Sequence, residues 1–302
     1  MIDSTVPPPV LVTGSHRSGS TWVGRLLASA EGLHYVQEPF NIVDHHHWFE
    51  RQPPQQFLYL TDENAAEWVR PMERVLELRY PLVAHVRAKR QVVPLRRALR
   101  ATVDARRARR RGDRALMKDP IALFSVEWLV RRFDMVPVIL VRDPVAFVGS
   151  LKERGWSFDF RHWMDQPLLM RDHLGHLERE IAQMIERPAD IVEQGILQWN
   201  AFYGFVDELR RRHPEFIVVH YEKLASDPAV EIEQLFGRLG LDFGEAQLSA
   251  VEALSTADRR ESSPTDVRRN SAKALETWRD RLTAEEVDAV REATAAVHRR
   301  FE

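Results

Sequence analysis

The chain contains no cysteine, which excludes disulfides, thiolate nucleophiles and cysteine-based metal sites. That lack fits a reducing compartment, so a cytoplasmic location is expected. No apolar run approaches the roughly eighteen residues needed to span a membrane. The opening MIDSTVPPPV has no basic stretch leading into an apolar one and does not read as a signal peptide; its prolines read as a stiff lead-in to a first strand. An excess of one charge is lacking as well. The net charge is −2 at pH 7, which gives no global pull toward nucleic acid, and no nucleic-acid partner is expected. Internal repeats are absent. What remains is a 302-residue chain, 44% hydrophobic, read as a single domain over 1–302.

The most informative stretch is Val10–Leu27, VLVTGSHRSGSTWVGRLL. Its apolar start, Val10–Val12, suits a buried strand. Trp22, Val23, Leu26 and Leu27 fall on one face of a following helix. Between them, Gly14 and Gly19 let the backbone turn with its N–H groups inward, where the helix N-terminus also favours an anion. The spacing is that of a phosphate-binding loop with one departure. Where GxxxxGK[ST] requires lysine, this chain has Ser20. The cation is Arg17, inside the loop, with Ser18, Ser20 and Thr21 hydroxyls after it. A loop lysine reaches the β- and γ-phosphates and the next hydroxyl holds magnesium. This loop therefore suits a 5′-phosphate but not a magnesium triphosphate, and no metal is expected. The competing reading is an ordinary strand–turn–helix whose glycines serve packing.

Four further strands follow. His34–Val36 runs into Gln37-Glu38-Pro39-Phe40, where Pro39 biases Glu38 away from helix. Ligand sites lie at the carboxyl ends of strands, which sets Glu38 near the first loop. Arg114–Asp119 reads as a strand ended by Pro120, with Lys118 at its carboxyl end. Met135–Val141 is a continuous apolar run of the kind found in parallel sheets covered on both faces. It ends in Arg142-Asp143-Pro144, and Ser150 follows eight residues after Arg142 on a helix over Val145–Lys152. An arginine at a strand tip and a serine two turns along the next helix can face one phosphate. Phe216–Tyr221 is the last strand. The region Leu168–Arg212 reads as two helices split at Pro188; Thr283 and Glu286 form a capping box that opens a final helix. His45–His47 are adjacent, so they point in different directions, and no partner at ligand spacing is evident; a surface or acceptor-site loop is expected.

Arg17–Trp22, RSGSTW, resembles the 5′-phosphosulfate loop of sulfotransferases that use 3′-phosphoadenosine 5′-phosphosulfate (PAPS), written KSGTTW in the cytosolic branch and RSGSS in Golgi carbohydrate enzymes. RDPVAFVGS, from Arg142 to Ser150, resembles that family's 3′-phosphate motif with the same gap. The resemblance runs from Val10 to about Trp278 and is to the carbohydrate-type or bacterial branch. It implies an α/β fold: a P-loop-like parallel sheet with helices on both faces. It implies PAPS as co-substrate, cradled by Arg17, Ser18, Gly19, Ser20 and Thr21, with Trp22 near adenine and Arg142 and Ser150 on the 3′-phosphate. Lys118, in Lys-Asp-Pro, is implied near the transferred group, and Glu38 in the place of the catalytic base; its histidine rivals are His16, His34 and His45–His47, of which His34 is close enough to matter. Arg268 and Arg269 resemble a segment that closes over the 3′-phosphate, although Asn270 replaces its glycine. Tyr221-Glu222-Lys223-Leu224 resembles the family's C-terminal half and is read as structural.

The reaction so implied is in-line transfer of a sulfonate to an acceptor hydroxyl, leaving adenosine 3′,5′-bisphosphate. Glutamate rather than histidine in the base position favours a carbohydrate or glycolipid hydroxyl; a natural-product alcohol or phenol stays open. Arg87–Arg114 carries twelve Arg/Lys against two Asp. Leu95, Leu99 and Val103 mark its apolar stripe. It reads either as a solvated, partly mobile helical insertion or as a holder of an anionic acceptor or a membrane surface. Residues 258–302 read as a C-terminal closing segment and helix. Two rival functions stand beside sulfonate transfer: a P-loop kinase of a small metabolite, and a non-catalytic polyanion- or membrane-surface-binding protein.

Overall fold

The apolar runs of the sequence become a five-stranded, wholly parallel sheet in order β2-β3-β1-β4-β5. The structure, a computed structural model, describes residues 7–43, 48–83, 95–255 and 277–302, with backbone alone at 95–97 and 277. The strands are β1 (Val10–Gly14), β2 (Leu33–Gln37), β3 (Arg114–Lys118), β4 (Val136–Val141) and β5 (Ile217–His220). Central β1 is buried along its length, with Val12 opposite Lys118 of β3 and Gly14 opposite Leu140 of β4. Side chains alternate between two apolar cores, as the pleat requires. Val10, Val12, Leu116, Val138 and Leu140 face one; Leu11, Met117, Ile139 and Val141 face the other.

Helices cover both faces. On the first face α1 (Ser20–Leu27) buries Trp22, Val23, Leu26 and Leu27 as its period predicts, together with Ile232 and Phe236 of a later helix, Pro228–Arg238. On the second lie Val126–Phe133, Pro144–Arg154 and the 22-residue Ile191–Arg212. Numbered along the chain, α2 is Ala66–Leu76, α3 Leu95–Arg111, α4 Val126–Phe133, α5 Pro144–Arg154, α6 Glu178–Glu186, α7 Ile191–Arg212, α8 Tyr221–Ser226, α9 Pro228–Arg238, α10 Glu245–Ser255 and α11 Ala284–His298. The break at Pro188 is where expected: Asp190 caps α7, accepting from the Glu193 N–H at 2.9 Å. The Thr283–Glu286 capping box opens α11. Helix α10 carries no clear apolar period and was not anticipated. Among the described residues no helix is long and apolar enough to cross a membrane.

Helix α3 corrects one expectation. Its buried residues are Ala98, Thr102, Ala105 and Ala108, whereas Leu99 and Val103 face outward. Small side chains let the helix approach the sheet closely, beside edge strand β2. The leucine period marked the wrong face. Residues 87–94 of the basic segment, His45–His47, and Arg268 and Arg269 lie outside the described residues.

Candidate functional site

Because every strand runs the same way, the residues that follow Gly14, Gln37, Lys118, Val141 and His220 gather along one edge of the sheet. The Gly14–Thr21 loop, the candidate phosphate loop, sits at its middle. Gly19 has φ 93°, and a Cβ built there would lie 2.3 Å from the Tyr221 ring, so only glycine lets the loop close on α8. The N–H groups of Gly19, Ser20 and Thr21 donate to no group among the described residues, and the buried Ser18 Oγ has no partner. Unpaired buried donors at a helix start are the property of an anion cradle. Ser15 is fixed by a 2.8 Å hydrogen bond between its Oγ and the Tyr203 hydroxyl of α7.

Arg17 sits in the loop at φ 64°. Its Nε donates to Ser150 Oγ at 2.9 Å, and its guanidinium lies 5.4 Å from the Trp156 ring centroid. Arg142 Nη1 donates to the Arg17 carbonyl at 3.2 Å. The two motifs, well over a hundred residues apart, thus meet through hydrogen bonds.

Arg142 is held from every side. Its N–H donates to Tyr203 Oη at 3.0 Å, and its carbonyl accepts from Trp199 Nε1 at 2.9 Å, one turn of α7 serving both ends of the peptide. Its guanidinium lies 4.0 Å from the Tyr221 ring centroid, and its Nε lies 3.3 Å from Glu222 Oε1 without hydrogen-bond alignment. Glu222 Oε1 also accepts from the Asp143 N–H at 3.0 Å. Burial pushes the Glu222 carboxyl up, with Arg142 pulling the other way. Asp143 caps α5, accepting from Ala146 N–H at 2.8 Å, and α5 carries Ser150.

A second group forms where β2 and β3 end. Gln37 lies opposite Lys118, and the Glu38 N–H donates to the Lys118 carbonyl at 2.9 Å. Glu38, at φ 43°, turns its carboxylate onto the Lys118 ammonium; Lys118 is fully buried. The other Glu38 oxygen accepts from Asn41 Nδ2. Beneath them Asp119 accepts from the Phe40 N–H at 2.6 Å and the Ile121 N–H at 3.0 Å. Burial first, then the neighbouring Glu38 charge, pushes the Asp119 carboxyl up to about 8. Gly24 ties this group to the loop helix: a Cβ there would come within 2.9 Å of Lys118 Cγ, so α1 lies directly on the lysine stem.

The remaining candidates are placed as follows. Trp22 is 2% exposed and packs edge-on to Tyr221 at 5.8 Å. Ser20 and Thr21 form the first turn of α1. His34 is half-buried on β2 beside Trp48, and burial lowers its pKa. His16, a histidine rival to Glu38, lies in the loop. It sits among Phe57, Phe147, Phe202 and Trp156, with ring centroids 5.3–6.4 Å away. Burial, then Arg17, lowers it to about 3, so it is neutral. Sequence reading missed Tyr203, Trp199, Asn41 and Asp119 as site supports. It took Tyr221 and Glu222 as structural only, whereas both touch Arg142. A cue existed for those two: they directly follow a strand, as the other site residues do.

Comparison with known proteins bears on this arrangement. Among solved structures, the chain is similar to the sulfotransferase domain of the Synechococcus PCC 7002 olefin synthase, at 15% identity over 97% of this chain and 96% of that one, with a TM-score of 0.46. It is similar to the sulfotransferase domain from the curacin biosynthetic pathway at 16% identity over 97% and 99%, with a TM-score of 0.48. Mouse sulfotransferase SULT7A1 complexed with PAP is similar at 12% identity over 98% and 85%, with a TM-score of 0.43. No curated protein matches. The family model described as "Sulfotransferase family" matches residues 8–245, a span that holds the loop, Glu38, Lys118, Arg142 and Ser150, and the chain belongs to the sulfotransferase family.

Proposed function

We propose that the protein transfers a sulfonate group from PAPS to an acceptor hydroxyl. The observation that carries this is the junction of Arg17, Ser150 and Arg142, within 2.9 Å and 3.2 Å contacts, beside a loop with free N–H groups. A nucleotide with phosphate at both ends of its ribose matches two adjoining anion sites; a magnesium triphosphate does not call for the second. The residues fit PAPS as follows. Ser18, Gly19, Ser20 and Thr21 would hold the 5′-phosphosulfate, Arg142 and Ser150 the 3′-phosphate, with Trp22 on the adenine side and Arg268 and Arg269 closing over it. When bound, PAPS supplies an activated sulfonate and a leaving phosphate.

The chain's own groups would act on charge and protons. Arg17, Lys118 and the loop amides would stabilise negative charge as it develops on the leaving oxygen. Glu38 would accept the acceptor's proton, oriented by Asn41 and counter-charged by Lys118. The acceptor class favoured by a glutamate base is a carbohydrate or glycolipid hydroxyl; a natural-product alcohol is the second. A cytoplasmic location belongs to the same reading, supported by the lack of cysteine. The kinase alternative is disfavoured by Ser20 in the lysine position and by Arg142, not an acidic residue, at the tip of β4.

The test is calorimetric titration without magnesium. Adenosine 3′,5′-bisphosphate should bind far more tightly than AMP or ATP. Tighter binding of magnesium-ATP would replace sulfonate transfer with the kinase reading. A screen of hydroxyl acceptors with PAPS, read by sulfonate mass gain, then identifies the acceptor.

A further inference from the structure

The outward face of α3 takes no part in the site. Its inner face, Ala98, Thr102, Ala105 and Ala108, is buried, so the helix is an integral part of the fold. Outward, Leu99 and Val103 are 45% and 43% exposed. Arg106 and Arg110 continue their stripe at helical spacing, and Arg100 and Arg107 flank it. Arg100, Arg106, Arg107, Arg109 and Arg110 form no ion pair among the described residues; Arg111 pairs with Asp113. Five cations without ion pairs among the described residues outnumber the one exposed acid beside them, Asp104, and two branched apolar side chains stay in water. Both costs are relieved by a partner that is negative at its surface and apolar beneath.

We propose that α3 is an interfacial helix that docks the protein on an anionic lipid bilayer. Its arginines would meet lipid phosphates, and Leu99 and Val103 would insert between headgroups. Charge complementarity argues for phosphate, which a guanidinium binds in bidentate fashion. The apolar pair argues for a bilayer against a soluble polyanion, which offers no apolar layer. The spread of arginines from 100 to 110, about 15 Å of helix, suits a planar partner with phosphate at every position; a folded acidic protein would need its carboxylates set in register. With a whole-chain net charge of −2, attraction is local to this face and sets the orientation of docking. This surface is separate from the sulfonate-transfer site and stands or falls apart from it.

Vesicle sedimentation tests it, with pure phosphatidylcholine and with equal parts phosphatidylcholine and phosphatidylglycerol. The protein should partition onto the mixed vesicles alone and be released by salt, which screens exposed charge. Arg106→Glu/Arg107→Glu/Arg110→Glu should lower partitioning at least a hundredfold, since each surface arginine is worth about fivefold. Leu99→Ser/Val103→Ser, with charge intact, should lower it about tenfold. All these side chains are exposed, and circular dichroism checks the fold of each variant. Absent binding, or equal binding to both vesicle types, overturns the proposal, as does wild-type partitioning of the charge-reversed variant. So does wild-type partitioning of the serine variant together with full displacement by heparin, which would make the surface a soluble-polyanion site. Bisphosphate titration of the same variants reports on the nucleotide site independently.

Discussion

At the scale of single residues, Glu38 is the proposed base and Arg142 the proposed source of the nucleotide preference. Glu38→Gln keeps shape but cannot take a proton, so kcat should fall about 10²–10⁴-fold. The structure adds a complication that the sequence did not show. Glu38 is the counter-charge of the fully buried Lys118, and removing one partner of such a pair costs about 3–5 kcal/mol of stability. The kcat must therefore be taken on protein shown to be folded by its bisphosphate affinity, which should stay near wild type. Retained turnover in the glutamine variant, with loss in His34→Ala, would move the base to His34. Arg142→Ala should weaken bisphosphate binding by about 2–4 kcal/mol, the scale for losing a charged hydrogen-bond partner. AMP binding should hardly change. Equal losses for both ligands would make Arg142 a support of the loop, through its bond to the Arg17 carbonyl.

At the scale of elements, the Gly14–Thr21 loop is anchored by His16 among aromatic rings of other segments, and its acid sensitivity follows. His16 titrates near 3 when folded against 6.5 when free. The unfolded chain therefore binds the proton more tightly. Stability from neutral His16 is complete above pH 6.5 and is lost as pH falls from there toward 3, by about 1.4 kcal/mol per pH unit. His16→Phe, which suits the surrounding rings, should remove that share of the slope between pH 6.5 and 5 in urea denaturation. Identical slopes would mean that His16 is hydrated in the native state. The strands and the placement of the residues at their carboxyl ends were legible in the sequence because parallel strands are continuous apolar runs and their carboxyl ends share an edge. Glu38, Lys118 and Arg142 could be placed from that rule alone. Tyr203, Trp199 and Asp119 could not, since a buried aromatic or carboxylate looks the same whether it packs or holds a site. Helix α3 misled for a related reason: Ala98, Ala105 and Ala108 carry little hydropathy, yet small size is what buries them.

At the scale of the whole molecule, the C-terminal segment supports the helix that carries part of the proposed 3′-phosphate clamp. Helix α5 carries Ser150, and its outer side is covered by residues from near the chain's end. Trp278 Cβ lies 3.4 Å from where a Gly149 Cβ would stand. Arg281 pairs with Glu153 at 3.0 Å, Lys152 donates to Glu286 at 2.5 Å and 2.7 Å, and Asn200 of α7 donates to the Ala293 carbonyl at 3.0 Å. The polar contacts are partly exposed and each is worth little. The apolar ones are not. Leu282, Val287, Val290 and Phe301 are all buried in the core that also holds α5 and α7. At about 1.5–3 kcal/mol for each buried side chain, their loss approaches the entire 5–15 kcal/mol typical of a domain. Deleting residues 256–302 should therefore abolish cooperative unfolding, not merely weaken nucleotide binding as removal of a flap would. Glu286→Ala, which breaks only the capping box and the Lys152 pair, should cost about 1–2 kcal/mol and leave bisphosphate affinity nearly intact. A truncated chain that unfolds cooperatively in urea, with only its bisphosphate affinity reduced, would show that the segment is a closing lid and that α5 stands without it.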